Sequence, residues 1–514
     1  MHQDMKIPKE KFTFVQTDVD LHDEKFEVRP ISYLMDAWLR FRKNKASIVA
    51  AIIIVLIVLY GLVVPFVTRY KISDADGVYA KMRPKNEVLA KIGIAKGQYQ
   101  KTLNERFLIY MNGIGMAVED THGQGATWEQ GKNSPMAPIR EVKSEYQRGG
   151  RDYMDVMVDS YYEVGFKYLM ITRSEFARIQ AWEKENNLQV LYPMVDINNK
   201  WTEQNNRTDA NFWFRHNAKS NPVDENGKSL KLDQIKEKGL VDNYRRDADG
   251  KVEYFIPKDK SMIQVRVLYY NYFIYRNGYE PLHLLGTDGQ GFDILVRMAH
   301  GIRLSLVLAV SVSIINLTIG ALYGAIEGYY GGVIDMIMER ISDILSGVPF
   351  IVVATLFQLH LVIPGKVSVL GGLLFAFVLT GWIGTAYLVR TQFYRFKNQE
   401  YVLSARTLGA SDRRLMFKHI FPNTLGTIIT SSVLVIPGVI FTETSLSYLG
   451  IANFNSSTMT SLGTMLANGQ RYLQTDPHII FFPSIIISLL MISFNLFGNG
   501  LRDAFNPSLR GAEE

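Results

Sequence analysis

Five polar side chains interrupt the long apolar stretches of this sequence, where polar chemistry is least expected. A hydrogen-bonding group inside a lipid bilayer must face protein or water, so each could line a path for a polar solute. Hydrogen bonding between neighbouring helices is the alternative use of such residues, and the sequence leaves both uses open. The five candidates for a translocation pathway are Asn316, Thr318, Gln358, His360 and Asn495.

A second candidate site is the polar, basic segment 400–423, which separates two apolar runs. Ala405 and Leu408 recur at helical spacing after Tyr401. Gly409 is expected to end this helix, because glycine adopts a positive φ without steric cost. Such a segment on one membrane face could receive force from a soluble partner. The alternative is that cytoplasmic loops are basic in any case, which needs no partner.

A second short helix is predicted to follow Gly409. Ser411 can cap its start, and Pro422 is expected to end it by removing an amide donor. Its apolar side is predicted to consist of Leu415, Met416, Ile420 and Phe421. For contact with a soluble partner, we expect the apolar residues Leu415, Met416 and Phe417 to act beside Arg413 and Arg414.

Six apolar runs are long enough to cross a hydrocarbon core, which takes about 20 helical residues. The chain has 514 residues, of which 47% are hydrophobic and 21% charged, and these averages hide strong segregation. The runs lie at 46–67, 304–326, 345–363, 369–389, 425–441 and 479–497. They predict an α-helical polytopic membrane protein with six transmembrane helices.

Basic residues next to the apolar runs predict the orientation. Arg40, Arg42, Lys43 and Lys45 come directly before the first run, which places the N-terminus in the cytoplasm. No short core with a small-residue cleavage site is present, so the first run is expected to remain as an anchor. Six crossings return the C-terminus to the cytoplasm. We therefore expect a multi-pass protein of the cell (plasma) membrane, with residues 70–284 extracellular.

Residues 70–284 are long enough to form a domain of their own, which is called the insert from here on. The chain has no cysteine, so disulfides cannot stabilise the insert. Thr172 and Glu175 form a capping-box pattern before a helix that runs to about Asn187. Strands are predicted at 166–171, 189–192 and 265–275. The insert is thus expected to be an α+β domain.

No catalytic or metal site is predicted. His216 and His283 are isolated in the sequence, without the serine or paired carboxylates of a hydrolytic site. The net charge of +6 arises beside apolar runs rather than on one soluble face, which argues against binding to nucleic acid. The chain also has no phosphate loop of the form G-x-x-x-x-G-K-[ST], so it is not expected to bind ATP itself.

The segment 400–423 resembles the EAA loop of ABC import permeases, which forms a coupling helix that docks on a cytoplasmic ATPase. Ser404 and Ala405 match its small positions and Gly409 its central glycine, while Leu403 stands where a glutamate is usual. Glu400 lies one turn upstream as a substitute. The resemblance implies ATPase-coupling roles for Glu400, Ser404, Ala405, Gly409, Ala410, Ile420, Pro422 and Asn423.

The segment 285–306 resembles the entry to the second span of oligopeptide and dipeptide permeases. The matching positions are Gly286, Thr287, Asp288, Gly291, Asp293, Arg297, Arg303 and Ser305, whereas Phe292 replaces an arginine. Segments 328–349, 443–450, 462–469 and 494–510 match in the expected order, and in the first of them Asp335 is expected to bridge helices with Arg340 and Asp343. The chain is identified as a C-type permease of the binding-protein-dependent transport family with an unusually large insertion.

This resemblance implies a non-enzymatic subunit that imports peptides in a heterodimer with a second, homologous permease. Two cytoplasmic ABC ATPase subunits would use ATP and Mg, and an extracellular peptide-binding protein would deliver the substrate. Expected divisions are an N-terminal segment 1–45, helix 1 at 46–69, the insert, a permease core 285–503 with a coupling loop 391–424, and a tail 504–514. Import of a non-peptide solute such as a metal chelate, and a receptor or scaffold role for the insert, remain alternatives.

Overall fold

The computed structural model describes residues 33–201 and 209–505. Residues 1–32 of the expected N-terminal segment and 506–514 of the expected tail lie outside this range. The described chain begins with α1 (Tyr33–Lys43) and α2 (Lys45–Val67). The Asn44 side chain caps α2 by accepting the Ser47 amide at 3.2 Å. Since α2 is apolar around its whole circumference, it suits the lipid contact expected of the first span.

The insert contains short helices and two antiparallel sheets. Its helices are α3 (Glu87–Lys91), α4 (Glu105–Glu119), α5 (Trp128–Asn133), α6 (Arg173–Asn186), α7 (Leu232–Lys238) and α8 (Tyr269–Asn277). Its strands are β1 (Gln98–Asn104), β2 (Ile139–Arg148), β3 (Arg151–Asp159), β4 (Phe166–Thr172), β5 (Leu191–Tyr192), β6 (Phe255–Pro257) and β7 (Met262–Leu268). The first sheet has the order β1-β3-β2, and in the second β7 lies between β4 and β5 and also pairs with β6.

The helix predicted after Thr172 is confirmed as α6, with the Thr172 hydroxyl accepting the Glu175 amide at 3.1 Å. The strand at 166–171 is confirmed as β4, and of the strand predicted at 189–192 only Leu191–Tyr192 forms β5. The prediction of a strand over 265–275 is wrong beyond Leu268, where the chain turns into α8. Aromatic residues favour strands, but in α8 they form one buried helical face. Tyr269, Tyr270 and Phe273 pack there with Tyr79 and Tyr161.

The remainder of the described chain is helical. It comprises α9 (Ile294–Tyr330), α10 (Gly332–Ser346), α11 (Phe350–Phe357), α12 (Val369–Thr380), α13 (Ile383–Phe396), α14 (Glu400–Thr407), α15 (Asp412–Arg414), α16 (Phe421–Tyr448), α17 (Leu462–Gly469) and α18 (His478–Phe505). Within the described ranges, five helical segments are long and apolar enough to cross a membrane. A sixth is counted if α10 and the segment Phe350–Val362, bent by 71°, form one broken span.

Helix α9 is longer than the apolar run that predicts it. It has 37 residues and starts ten positions before residue 304, because Asp293 caps it by accepting the Val296 amide at 2.9 Å. Its first turns contain Arg297, His300 and Arg303, which lower the hydropathy without interrupting the helix. As a result, a single helix runs from the insert to the opposite end of the core.

A row of glycines brings α9 and α13 into backbone contact. A methyl group added to Gly324 would lie 2.1 Å from the carbonyl oxygen of Ala386, and one on Gly328 would lie 2.7 Å from that of Arg390. Gly320, four residues earlier, meets the Trp382 carbonyl oxygen at the same 2.7 Å. Small residues at this spacing allow membrane helices to approach closely. The two helices therefore run side by side in the same direction.

Candidate functional site: coupling surface and outer clamp

The predicted coupling loop 391–424, which we call the coupling segment, lies at the end of the core opposite the insert. Helix α14 ends as predicted, with Gly409 at a φ of +84°. Ser411 occupies the N-cap of α15, yet its hydroxyl makes no capping hydrogen bond. A π-helical turn, Leu415–Ile420, then leads directly into α16. This geometry reverses the chain direction between α13 and α16.

The prediction that Pro422 ends the second helix is wrong. Pro422 lies in the first turn of α16, and the helical run continues from Asp412 to Tyr448. Proline is tolerated at the start of a helix, because its missing amide would lack an intrahelical partner there in any case. The π-helical turn before it marks the place where one helical segment joins the next.

The apolar side of the second helix faces the core of the chain itself. Leu415 is 0% exposed, and Met416 and Ile420 are also buried, in a cluster with Phe393 and Val402. The expectation that Leu415 and Met416 contact a soluble partner is therefore wrong, because both are already packed inside. Phe417, the third residue of that set, remains exposed.

A different apolar group is exposed at this end of the core. Leu408, at the C-terminus of α14, is 88% exposed, and Tyr401, Leu403 and Phe417 are exposed as well. Exposed apolar side chains on a polar segment are available for a protein contact. We call Tyr401, Leu403, Leu408 and Phe417 the coupling surface.

The other residues with expected coupling roles surround this surface. Glu400, Ser404, Gly409, Pro422 and Asn423 are exposed, Ala405 and Ala410 are half-buried, and Ile420 is buried. The Asn423 amide donates to the Tyr401 hydroxyl at 3.2 Å and to the His419 carbonyl at 2.8 Å. Asn423 thus links the start of α16 to the coupling surface.

Polar contacts join the coupling segment to the last turn of α9. The Tyr329 hydroxyl donates to Asp412 Oδ1 at 2.5 Å and accepts a hydrogen bond from Arg406 at 3.4 Å. Lys397 donates to the Gly328 carbonyl oxygen at 2.9 Å. The segment is therefore attached to α9 by directional bonds in addition to its buried apolar side.

An ion-pair network lies next to these contacts. Its pairs differ from the expectation that Asp335 bridges helices with Arg340 and Asp343. Among the described residues, Asp335 forms no ion pair with Arg340, which pairs instead with Asp343 within α10 at 3.1 Å. It accepts two hydrogen bonds from Arg390 of α13, at 2.7 and 2.9 Å, while Glu339 accepts two more. The network joins α10 to α13, and sequence spacing gives no sign of it because the partners are 55 residues apart.

At the opposite end, the Gly-Thr-Asp segment fastens the insert to α9. The Thr287 amide donates to the Met82 carbonyl at 3.1 Å, and its hydroxyl accepts the Met82 amide at 2.8 Å and donates to the Tyr79 carbonyl at 2.5 Å. A methyl group on Gly291 would lie only 1.9 Å from the Asp76 carbonyl oxygen. We call segments 76–82 and 286–293 together the outer clamp.

His283 is not isolated, contrary to the expectation from sequence. Its Nδ1 lies 2.8 Å from Asp293 Oδ2, and both side chains are buried. Asp293 therefore fixes the start of α9 through one oxygen and His283 through the other. His216 remains without an acidic partner among the described residues, and burial lowers the pKa of its imidazole. Neither arrangement indicates hydrolysis.

The five candidates for a translocation pathway do not converge on one site. Asn316 is buried against α12, where its amide donates weakly to the Phe377 carbonyl at 3.5 Å. Thr318 donates to the Ile314 carbonyl of its own helix and Asn495 to the Met491 carbonyl of its own helix, both at 2.8 Å. Gln358 is half-buried and His360 exposed in a π-helical turn after α11. Pathway lining by these residues stays a prediction.

One buried carboxylate is absent from that set of candidates. Glu443 is fully buried in α16, where Ser305 donates to its Oε2 at 3.0 Å and Ser447 to its Oε1 at 2.9 Å. The signal in the sequence is a single acidic residue directly after the apolar run 425–441. The Ser305 hydroxyl thereby joins α9 to α16, whereas Ser447 belongs to α16 itself.

The fold and these two ends define an inner-membrane component of a binding-protein-dependent transporter. The family model for the binding-protein-dependent transport system inner membrane component matches residues 316–511, which include the coupling segment. The model for the N-terminal TM domain of oligopeptide transport permease C matches residues 32–84, which include the first half of the outer clamp. The matched ranges leave residues 85–315 between them.

Known relatives define the family more closely. The oligopeptide transport system permease protein OppC of Bacillus subtilis (strain 168) is 44% identical over 228 residues, 44% of this chain and 72% of that protein. The dipeptide permease DppC of the same strain is 41% identical over 229 residues, 44% and 69% of the two chains. The glutathione permease GsiD of Pectobacterium atrosepticum is 33% identical over 258 residues, 50% and 81%. The chain belongs to the oligopeptide and dipeptide permeases of the ABC transporters.

Proposed function

We propose that this chain is one of two homologous permease subunits in an ATP-driven peptide importer of the plasma membrane. Six spans place both termini in the cytoplasm and residues 70–284 outside. Two cytoplasmic ABC ATPases dock on the coupling surface and consume ATP with Mg, and an extracellular binding protein delivers the peptide. The observation that carries this proposal is Leu408, an almost fully exposed apolar side chain on a segment that is otherwise firmly attached.

The proposed mechanism passes motion from the ATPases to the outer end through α9. Movement of α14 reaches the last turn of α9 through the contacts of Asp412 and Arg406 with Tyr329. The same helix begins at the outer clamp, so a displacement of α9 also moves the end of the core where the substrate arrives. The network of Arg390 with Asp335 keeps α10 and α13 moving together with it.

The energy required favours an apolar contact at the coupling surface. Changing a pathway from 1% to 99% open takes about 5.5 kcal/mol of differential binding. A single exposed ion pair contributes about 0–1 kcal/mol, which is too little. Burial of Leu408, Leu403, Tyr401 and Phe417 against an ATPase supplies about 1.5–3 kcal/mol for each large side chain that becomes fully buried.

Peptides are the substrate class that the relatives support. The three relatives described above are named for oligopeptides, dipeptides and glutathione, which is itself a short peptide. None of these three relatives is named for a metal chelate. A pure scaffold role for the insert does not account for the coupling surface.

Reconstitution in liposomes tests this proposal. The chain is co-purified with its permease partner, the two ATPases and the binding protein, and uptake of a labelled peptide is followed with and without ATP. We expect uptake that requires ATP and the binding protein and is lost in Leu408→Ser. ATP hydrolysis that no peptide stimulates, together with no uptake, would contradict the proposal.

A further inference from the structure

A cavity opens beside the outer clamp, between the start of α9 and the segment that joins α16 to α18. Its volume, including the part open to solvent, is about 540 Å³. Charged and amide side chains form most of its wall, namely Asp288, Gln290, Arg297, Asn455, Asn468 and Arg471, and Tyr472 lies beside them. The cavity is thus a polar site at the end of the core that carries the insert.

Arg297 is the buried cation of this wall. It is only 1% exposed, and its guanidinium lies over the Phe292 ring at 4.3 Å. The two terminal nitrogens donate to the Ser456 carbonyl at 2.9 Å and to Asn455 Oδ1 at 3.1 Å, whereas Nε has no hydrogen-bond partner among the described residues. A buried donor without a partner is costly, and the cost is relieved when an acceptor arrives.

The charges around the cavity favour an anion as that acceptor. Within the described chain, no carboxylate lies within 4.0 Å of the guanidinium of Arg297 or of Arg471, which is exposed beside the Tyr472 ring. Asp288 is the acidic residue of the wall, and its Oδ1 accepts the amides of Gln290 and Phe292 at 2.9 and 3.0 Å. Burial raises the pKa of Asp288, while the amide hydrogen bonds of its own turn and the charge of Arg297 act in the opposite direction.

We propose that this cavity binds the C-terminal carboxylate of an incoming peptide, with Arg297 and Arg471 as the recognising residues. Arginine suits this task because its planar group binds carboxylates with charge-assisted hydrogen bonds. The inference rests on the proposed function, since it concerns the peptide that the importer would carry. It adds a specificity site within the permease itself.

The surroundings favour a chain end over an acidic side chain on a docked protein. The insert narrows the approach, because Lys81 lies over the Tyr472 ring at 4.8 Å and Arg83 binds Asp476 at 3.2 Å. Arg297 is at the base of this approach and nearly inaccessible. A slender terminus can reach it more readily than a residue on a broad protein surface.

Paired peptides test the inference in the reconstituted importer. One labelled tripeptide is offered as the free acid and as its C-terminal amide, and the ratio of their ATP-driven uptake rates is measured. The same binding protein is used throughout, so its own preference cancels when variants are compared. We expect Arg297→Gln to lower the acid-to-amide ratio about tenfold, as for loss of a charged hydrogen bond. Arg471→Gln should lower the ratio in the same direction.

Arg178→Gln is the matched control, because Arg178 is exposed on α6 and pairs with Glu175 on the same helix. Its ratio should equal that of the unaltered protein. If Arg297→Gln and Arg471→Gln slow both peptides equally, the inference is overturned. If they also weaken capture of the binding protein, the arginines meet that protein instead.

Three further outcomes are distinguishable. Arg471 is exposed, so Arg471→Gln decides the question alone if Arg297→Gln fails to fold: an unchanged ratio then overturns the inference. If the unaltered complex takes up neither peptide with ATP, the proposed function fails, and the inference about the carboxylate fails with it. Uptake with an acid-to-amide ratio that no arginine variant changes overturns only the inference.

Discussion

The two ends of α9 differ in how far their neighbouring segments are packed against the rest of the chain. At the outer clamp, Thr287 is fully buried and makes three hydrogen bonds to segment 76–82, and Gly291 touches the backbone of Asp76. At the inner end, Leu408 is 88% exposed, and a methyl group added to Gly409 would meet nothing within 4 Å. The outer end is a closed structure, whereas the inner end leaves an apolar surface uncovered.

The outer clamp is made of contacts within the chain, whereas the coupling surface leaves apolar side chains exposed and is proposed to bind another subunit. Gly291 and Gly409 have nearly the same positive φ, +86° and +84°. Their surroundings differ, so substitutions at the two glycines should have different consequences. The same distinction orders the variants below by their effect on the free energy of unfolding.

Gly291→Ala should have the largest effect. The new methyl group would lie 1.9 Å from a backbone oxygen, in addition to the strain of a positive φ. We expect a loss of more than about 3 kcal/mol, in the range of severe core substitutions. Thermal unfolding of the detergent-solubilised chain measures this loss. Gly409→Ala, which meets only strain, should cost about 1 kcal/mol, and equal costs at the two glycines would remove the proposed contrast.

Arg390→Gln should follow. It leaves Asp335 without its main partner at a largely buried position, and breaking such a pair costs about 3 kcal/mol. The same thermal assay measures the loss. Arg340→Gln is the control, because Arg340 and Asp343 are exposed on one helix and such pairs contribute about 0.5 kcal/mol. Similar stabilities of the two variants would show that the network is not structural.

Tyr329→Phe should have a smaller effect on stability and a larger one on transport. It removes the hydrogen bond to Asp412 and costs about 1 kcal/mol. If this contact passes motion to α9, ATP hydrolysis should continue while peptide uptake falls. A parallel decrease of both rates would place Tyr329 outside the coupling route. Both rates are measured in the same liposomes.

Two substitutions at Gly409 test whether its positive φ is needed for coupling. Asparagine tolerates the left-handed region, so Gly409→Asn should retain uptake. Gly409→Val, which is β-branched, should distort the junction of α14 and α15 and reduce uptake while the chain stays inserted. If the two variants transport equally well, the positive φ of Gly409 is not needed for coupling.

Sequence patterns predict those features of the fold that depend on residues close to one another in the sequence. Apolar length locates the five long helices, whereas the run 345–363 falls on one arm of a helix pair bent by 71° rather than on a single long helix. Periodicity with Gly409 locates α14. Close packing of α9 is also indicated by glycines at every fourth position, Gly320, Gly324 and Gly328. In the insert, Thr172 locates the start of α6 by its capping pattern.

What escapes prediction depends on partners that are distant in sequence. Arg390 and Asp335 are joined by helix packing, and His283 meets Asp293 across a turn. The burial of Leu415 and Met416 follows from contact with Phe393 and Val402, which no local pattern contains. Pro422 shows a related difficulty, because proline is found both after one helix and at the start of the next.

The most direct test of the account is capture of the ATPases by Leu408→Ser. Its stability should remain within about 0.5 kcal/mol, because the side chain is already exposed. Loss of about 2 kcal/mol of apolar burial at the interface should weaken ATPase binding by about tenfold or more. Leu473→Ser, at an exposed leucine at the end of the core that carries the insert, is the matched control. Unchanged ATPase binding by Leu408→Ser in mild detergent would contradict the central claim that this surface receives the motor.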